Sequence, residues 1–266
     1  MHTSYVILLV LLAALCFTVP LTAEESGTQQ AFIPAYLQSY PGTIWDGITS
    51  PARWDSGDWL KATVFIGIGT GLYFLDEDID AMLRRNHTPL LDGISFGFKQ
   101  FGEGKYLFPL SGATILAGYI TGSEHTSDTG FLCLKSLLIS GAATNTLKYI
   151  TQRQRPVSGN GNGFWNGEGF IRRRDSFPSG HATIVWSLAP ILASQYPDSK
   201  WVAPTAYTIA TLTSLSRAYD HRHWSSDVFV ASVIGYFTAR LTLKTTPRLQ
   251  IMPNAQSGGI NLLFYF

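Results

Sequence analysis

The sequence predicts an all-α protein, a compact bundle of about six core helices closed by a small C-terminal β-hairpin. Six apolar stretches run without an interrupting charge: Ala62–Leu75, Tyr106–Ser123, Ser136–Leu147, Ala182–Pro197, Trp201–Ser216 and Val228–Ala239. They are rich in Gly, Ser and Thr, which suits helices packed closely on one another. After them the pattern switches to alternation, with Ile260, Leu262, Phe264 and Phe266 on one face of a final strand. The 266 residues bury one good core, and 45% hydrophobic with only 14% charged residues excludes intrinsic disorder. A net charge of +1 excludes a basic nucleic-acid binder. Mean hydropathy of +0.11 is low for a chain made mostly of lipid-facing helices.

Taken in order, residues 1–23 read as an export signal. Val6 to Phe17 is an apolar run, followed by Pro20 and by Leu21-Thr22-Ala23 before two glutamates. Cleavage is expected after Ala23, with an uncleaved anchor as the alternative because no Lys or Arg opens the chain. Leu15 before Cys16 speaks against a lipoprotein site. Cys133 is then the one thiol left, so the mature chain has no internal disulfide and no cysteine-based metal site. Residues 24–60, rich in Pro, Trp and Asp, are expected to form an irregular arm, 61–246 the helical domain, and 247–266 the hairpin. Each apolar stretch is shorter than the roughly 20 residues that cross a bilayer upright, so spanning and packing in water both stay open. The export signal points to the periplasm or the outer face of a membrane, with membrane association expected.

Three clusters carry chemistry. Lys148 and Arg155 stand seven residues apart at a helix end that Pro156 terminates, about two turns along nearly one face. Alone, such cations equally complement a helix dipole. A loop of five glycines and three asparagines, Val157 to Gly169, then leads to Pro178-Ser179-Gly180-His181 at the start of an apolar helix. There a hydroxyl, a bare backbone and an imidazole meet unpaired N–H groups that favour an anion, although Ser179 could equally be an ordinary N-cap. The third cluster, Ser216-Arg217 through His223 to Asp227, places a carboxylate four residues after an imidazole, where it can accept the Nδ1 proton. Arg217 offers a planar fork for oxyanions. A surface ion-pair cluster, or metal ligation by Asp220, His221, His223 and Asp227, are the alternatives. Six cations against Glu168 alone between Lys148 and Arg174 suit an anionic substrate better than a divalent metal.

Read together, Lys-x6-Arg-Pro, Pro-Ser-Gly-His and Ser-Arg-x5-His-x3-Asp resemble the type 2 phosphatidic acid phosphatase (PAP2) and vanadium haloperoxidase superfamily, with no departure at any signature position from Lys148 to Asp227. The resemblance implies a metal-free phosphohydrolase without cofactor. Lys148, Arg155 and Arg217 would bind the phosphoryl oxygens with the Ser179 hydroxyl and the Gly180 N–H. His223 would be the nucleophile that forms a phosphohistidine, Asp227 would fix its tautomer, and His181 would be the general acid. Arg153, His221, Arg222 and Arg172–Arg174 match no signature position and read as solvated loop charges. The expected substrate is a phosphate-bearing lipid, a pyrophosphate or a small phosphomonoester. A vanadium-dependent haloperoxidase, a phosphotransferase and a non-catalytic envelope protein are the competing readings.

Overall fold

The computed structural model describes residues 29–167, 175–246, 248–253 and 260–265. The expected signal, residues 1–23, and the Arg172–Arg174 run lie outside the described residues. In chain order the elements are α1 (Gln29–Thr49), α2 (Ser56–Arg85), α3 (Pro89–Lys99), α4 (Gly104–Thr121), α5 (Glu124–Thr151), α6 (Gly180–Gln195), α7 (Val202–Tyr219), α8 (Ser225–Thr245), β1 (Arg248–Pro253) and β2 (Ile260–Tyr265). Each of the six apolar stretches of the sequence coincides with a helix, α2 or one of α4 to α8, overrunning it at one end by at most two residues. The strands pair antiparallel with Arg248 opposite Tyr265 and Pro253 opposite Ile260, which is the expected hairpin.

Two helices go beyond the sequence expectation. The arm was expected to be irregular, yet Gln29–Thr49 is helical despite Pro34 and Pro41. Pro41 withholds one N–H from this ladder. Side chains bind it elsewhere: Thr43 Oγ1 donates to the Ser39 carbonyl at 2.8 Å, and the Tyr36 and Tyr40 hydroxyls meet at 2.7 Å one turn apart. The short α3 contains Gly93 and Gly97, which lower helix propensity. It forms because Thr88 caps it through the Leu91 N–H and Pro89 fits its first turn.

The chain divides into two compact units, one of residues 46–244 and one that combines the N-terminal segment with the hairpin region from Thr245. Within the larger unit α6 is the central helix. Its Ile191 packs with Leu132 and Cys133 of α5 and Ala239 of α8; its Val185 and Ala189 pack on Ala210 of α7; its Ala182 meets Ala218 of α7 with Val228 and Ala231 of α8. These buried residues are mostly small, so backbones rather than long side chains set the spacing. At Gly235 of α8 an added Cβ would lie 2.4 Å from the Thr183 carbonyl oxygen of α6. That contact sets the middle of α8 against the start of α6, and the start of each helix carries site residues.

Gly235→Ala therefore forces α8 off α6 and is expected to cost about 1–3 kcal/mol, as overpacking does. Gly141→Ala on α5, where a Cβ meets nothing within 4 Å, is expected to be neutral or stabilising. Denaturant unfolding of both variants checks this, and equal unfolding midpoints would contradict the close contact.

Candidate active site

The three sequence clusters converge. Arg155, His181, Arg217 and His223 line one cleft of about 790 Å³, together with Glu103 and Arg222. Lys148, Ser179, Gly180 and Asp227 are not part of its lining and stand behind or beside it. Lys148, in the last turn of α5, donates to the Asp175 carbonyl, while Arg155 grips the Asp175 carboxylate with Nε at 2.9 Å and Nη2 at 2.8 Å. Burial lowers the Lys148 amine to about 8, against an opposing effect of Asp175. Arg217, buried at the end of α7, pairs with Asp220 and donates from Nε to the Ser216 hydroxyl at 3.2 Å.

Ser179 precedes α6 but its hydroxyl does not cap the helix. That oxygen is buried and has no hydrogen-bond partner among the described residues. The N-cap alternative therefore fails, and a donor is left at a helix N-terminus, the arrangement that favours an anion. Gly180 opens α6, and no atom lies within 4 Å of where its Cβ would be. His181 sits one residue on, its ring pressed on Gly102, where a Cβ would come 2.7 Å from the His181 Cβ. Its Nε2 is also buried without a hydrogen bond and is 3.5 Å from Glu103 Oε1. Burial, then the charge of Arg217, lowers this imidazole to about 4, although Glu103 pulls the other way.

His223 is buried, and its Nδ1 lies 2.6 Å from the Ser176 carbonyl oxygen. A carbonyl only accepts, so the proton is on Nδ1 and the Nε2 lone pair is left free. Burial pushes this imidazole well below its ordinary range, helped by Lys148 and Arg155. The expected bond from His223 to Asp227 is a correction: the carboxylate goes elsewhere. Asp227 is the third residue of α8, and its Oδ2 reaches back to the Trp224 N–H at 3.0 Å, as an acidic residue at that position does in a capping box. The same oxygen accepts from the Ser176 hydroxyl, and Oδ1 accepts from Arg153 Nη1 at 2.5 Å. Burial raises the Asp227 carboxyl, and Arg153 opposes the rise.

Arg153 is the second correction. Expected to be solvated, it is 1% exposed and bridges Asp227 and Asp76, its Nη2 2.8 Å from Asp76 Oδ2. His221 is likewise held, with Nδ1 2.7 Å from Asp80 Oδ1 and Nε2 3.0 Å from His87 Nε2. Asp76, Glu103, Asp175 and Ser176 were not singled out by the sequence. Asp175 and Ser176 adjoin Pro178-Ser179-Gly180-His181 and were within reach of a local reading. Asp76 lies 77 residues from Arg153 and carried no local signal.

Residues 129–251, which hold all eight signature residues, match the model of the PAP2 superfamily. Among curated relatives, the lipid A 1-phosphatase of Porphyromonas gingivalis is 29% identical over 106 residues, 40% of this chain and 21% of that protein. The chain thus spans about a fifth of that relative. The undecaprenyl-diphosphatase of Sulfolobus acidocaldarius is 24% identical over 166 residues, 61% of this chain and 74% of its own. Two solved structures share the fold. Aquifex aeolicus LpxE has a TM-score of 0.50 at 24% identity, covering 64% of this chain and 95% of that one. A transmembrane PAP2-type phosphatidylglycerolphosphate phosphatase from Bacillus subtilis has a TM-score of 0.51 at 21% identity, covering 79% and 94%.

The lowered value of His181 gives a stability signature. Above the ordinary value of 6.5 the imidazole is neutral in folded and unfolded chains alike. As pH falls from there towards about 4, the unfolded chain takes up a proton that the folded chain refuses, so stability is lost across that window. His181→Asn is expected to flatten this loss relative to wild type, measured by denaturant unfolding at pH 7 and pH 5. Parallel losses in the two proteins would show that His181 is not held neutral.

Proposed function

We propose that this chain is a metal-independent lipid phosphatase that hydrolyses a phosphomonoester or diphosphate through a phosphohistidine on His223. The observation that carries the reading is the convergence of Arg155, Arg217, His181 and His223 on one cleft, with the Nε2 lone pair of His223 left free by the bond its Nδ1 makes. A phosphoryl group in transfer is stabilised chiefly by preplaced positive charge and N–H donors. Arg155 and Arg217 supply guanidinium forks, each with N–H groups beyond those used on Asp175 and Asp220. The Lys148 ammonium, the unpartnered Ser179 hydroxyl and the Gly180 N–H complete the cage.

In this mechanism His223 Nε2 attacks phosphorus, and the ester oxygen leaves with a proton from His181. Water, deprotonated by His181, then cleaves the phosphorus–nitrogen bond and releases phosphate. His181 is neutral in the resting cleft because burial and Arg217 disfavour its charge. A phosphate dianion reverses that field, so substrate binding itself brings the proton His181 must donate.

The lipid character of the substrate is supported by the activities of the relatives and by the surface. Ile66, Phe74, Leu90, Ile120 and Trp201 are all large apolar side chains left exposed, which fits an apolar environment such as a lipid surface. No helix among the described residues is long and apolar enough to cross a membrane. We place the protein at the outer face of a membrane, exported by residues 1–23.

Phosphate release from phosphatidic acid micelles in excess EDTA tests the reading, beside an aryl phosphate and His223→Ala. Lipid turnover that falls more than about a thousandfold in the variant is expected. A 32P label on the quenched protein should be acid-labile and alkali-stable, and absent from His223→Ala. Aryl phosphate turnover alone would overturn the lipid assignment. No turnover of either would overturn the hydrolase and direct attention to halide oxidation with added vanadate.

A further inference from the structure

The Ser176 side chain, Arg153 and Asp76 have no part in the phosphate cage, yet all three are buried and linked to one another and to His223. The Ser176 carbonyl holds His223 Nδ1–H, and Ser176 is itself fixed on two further sides. Its N–H donates to the Arg153 carbonyl at 3.0 Å, and its hydroxyl donates to Asp227 Oδ2. Arg153 continues the chain: Nη1 to Asp227 Oδ1 and to the Ser226 hydroxyl at 2.8 Å, Nη2 to Asp76 Oδ2, Nε to the Asn162 carbonyl at 3.1 Å. Asp76 closes it on α8, with Oδ1 2.9 Å from the Ser226 N–H and Oδ2 accepting from the Ser226 hydroxyl.

We propose that Ser176 is the positioning residue for the nucleophile, and that Arg153 and Asp76 act through Asp227 to fix Ser176. Asp227 makes no bond to the His223 side chain; beside its hold on the Trp224 N–H, its influence on the imidazole passes through the hydroxyl and then the carbonyl of Ser176. The inference rests on the reading of His223 as nucleophile. An imidazole can rotate and can carry its proton on either nitrogen; attack requires the lone pair on Nε2 and the ring aimed into the cleft. The Ser176 carbonyl sets both, and it is as rigid as the buried charges behind it. When Nε2 bonds to phosphorus the ring gains positive character, and its Nδ1–H bond to the carbonyl becomes charge-assisted and stronger. The carbonyl thus favours the reacting state over the resting one, which is what raises kcat.

Ser176→Ala keeps the carbonyl and removes the hydroxyl that ties it to Asp227. Misplacement of a catalytic group by a fraction of an ångström to one ångström costs on the order of tenfold to a hundredfold in rate, and kcat for phosphatidic acid is expected to fall by that amount. KM and the binding of inorganic phosphate, measured by calorimetry, should stay within about twofold, because the cage does not use this hydroxyl. Ser176→Thr restores the hydroxyl and should recover most of kcat. In protein carrying 15N-histidine, the signal absent from His223→Ala should show the Nδ1–H tautomer in wild type and a mixture in Ser176→Ala. Should Ser176→Ala lose its helical circular dichroism, Asp76→Asn carries the test with the same expected pattern.

Wild-type kcat with an unchanged tautomer in these variants overturns the proposal while leaving the phosphatase reading intact. A parallel loss of phosphate binding and kcat also overturns it, since that marks a general structural role. Absence of turnover in wild type removes the phosphatase reading, and the proposal falls with it.

Discussion

Arg153, bound between two buried carboxylates, constrains more of this structure than any other side chain of the site. A guanidinium and two carboxylates taken from water each carry a desolvation cost of several kcal/mol, which mutual attraction offsets only where the remaining donors and acceptors are satisfied. Here they are satisfied by the Ser226 N–H and hydroxyl, the Ser176 hydroxyl, the Trp224 N–H and the Asn162 carbonyl. The guanidinium carbon also lies 5.0 Å from the Tyr73 ring centroid and 4.8 Å from that of Trp165, contacts that strengthen once water is gone. One side chain from the loop after α5 thereby joins α2, the Gly-rich loop and the first turn of α8.

The first turn of α8 must lie beside the first turn of α6 for this to be a site at all, and small residues permit it. At Gly235 the α8 backbone approaches α6 more closely than any Cβ allows, and at Gly102 the chain before α4 does the same against His181. The backbone of Ser179, whose N–H is 3.3 Å from the Asp227 carbonyl oxygen, spans the two helix starts directly. Packing and the proposed chemistry are therefore not separable here: glycines that look like ordinary helix-contact residues help set the distance between the helix start proposed to bind the anion and the proposed nucleophile.

The sequence shows the fold class and the eight signature residues because both are written locally. Helices announce themselves by uninterrupted apolar length, and each signature element spans no more than twelve residues, so spacing alone is informative. What sequence left out is nonlocal or locally contradictory. Arg153 reads as one more loop cation until Asp76, far off on α2, is brought to it. The link from His223 to Asp227 is correct in spacing and wrong in partner, since a carboxylate at the third helical position is as well placed to reach its own N-cap. The helix at Gln29–Thr49 contains prolines that argue against it, and α3 contains glycines that do the same; tertiary contacts and capping override both.

Electrostatics give the resting cleft a further logic. Burial, helped by Lys148 and Arg155, which are proposed to bind phosphate, holds the His223 imidazole well below its ordinary range. Burial and the cations proposed to attract the substrate thus act together to keep the proposed nucleophile deprotonated in the resting cleft. Asp175 and Asp220 occupy the arginine forks meanwhile, and Arg217 with burial keeps His181 neutral. In the proposed mechanism an entering phosphate dianion would compete for the forks and reverse the potential at His181, while the Ser176 carbonyl would keep the proton of His223 on Nδ1. The two imidazoles suit different proposed roles: the Nε2 of His181 has no hydrogen bond among the described residues, while His223 is tied through Nδ1 to the buried network behind it.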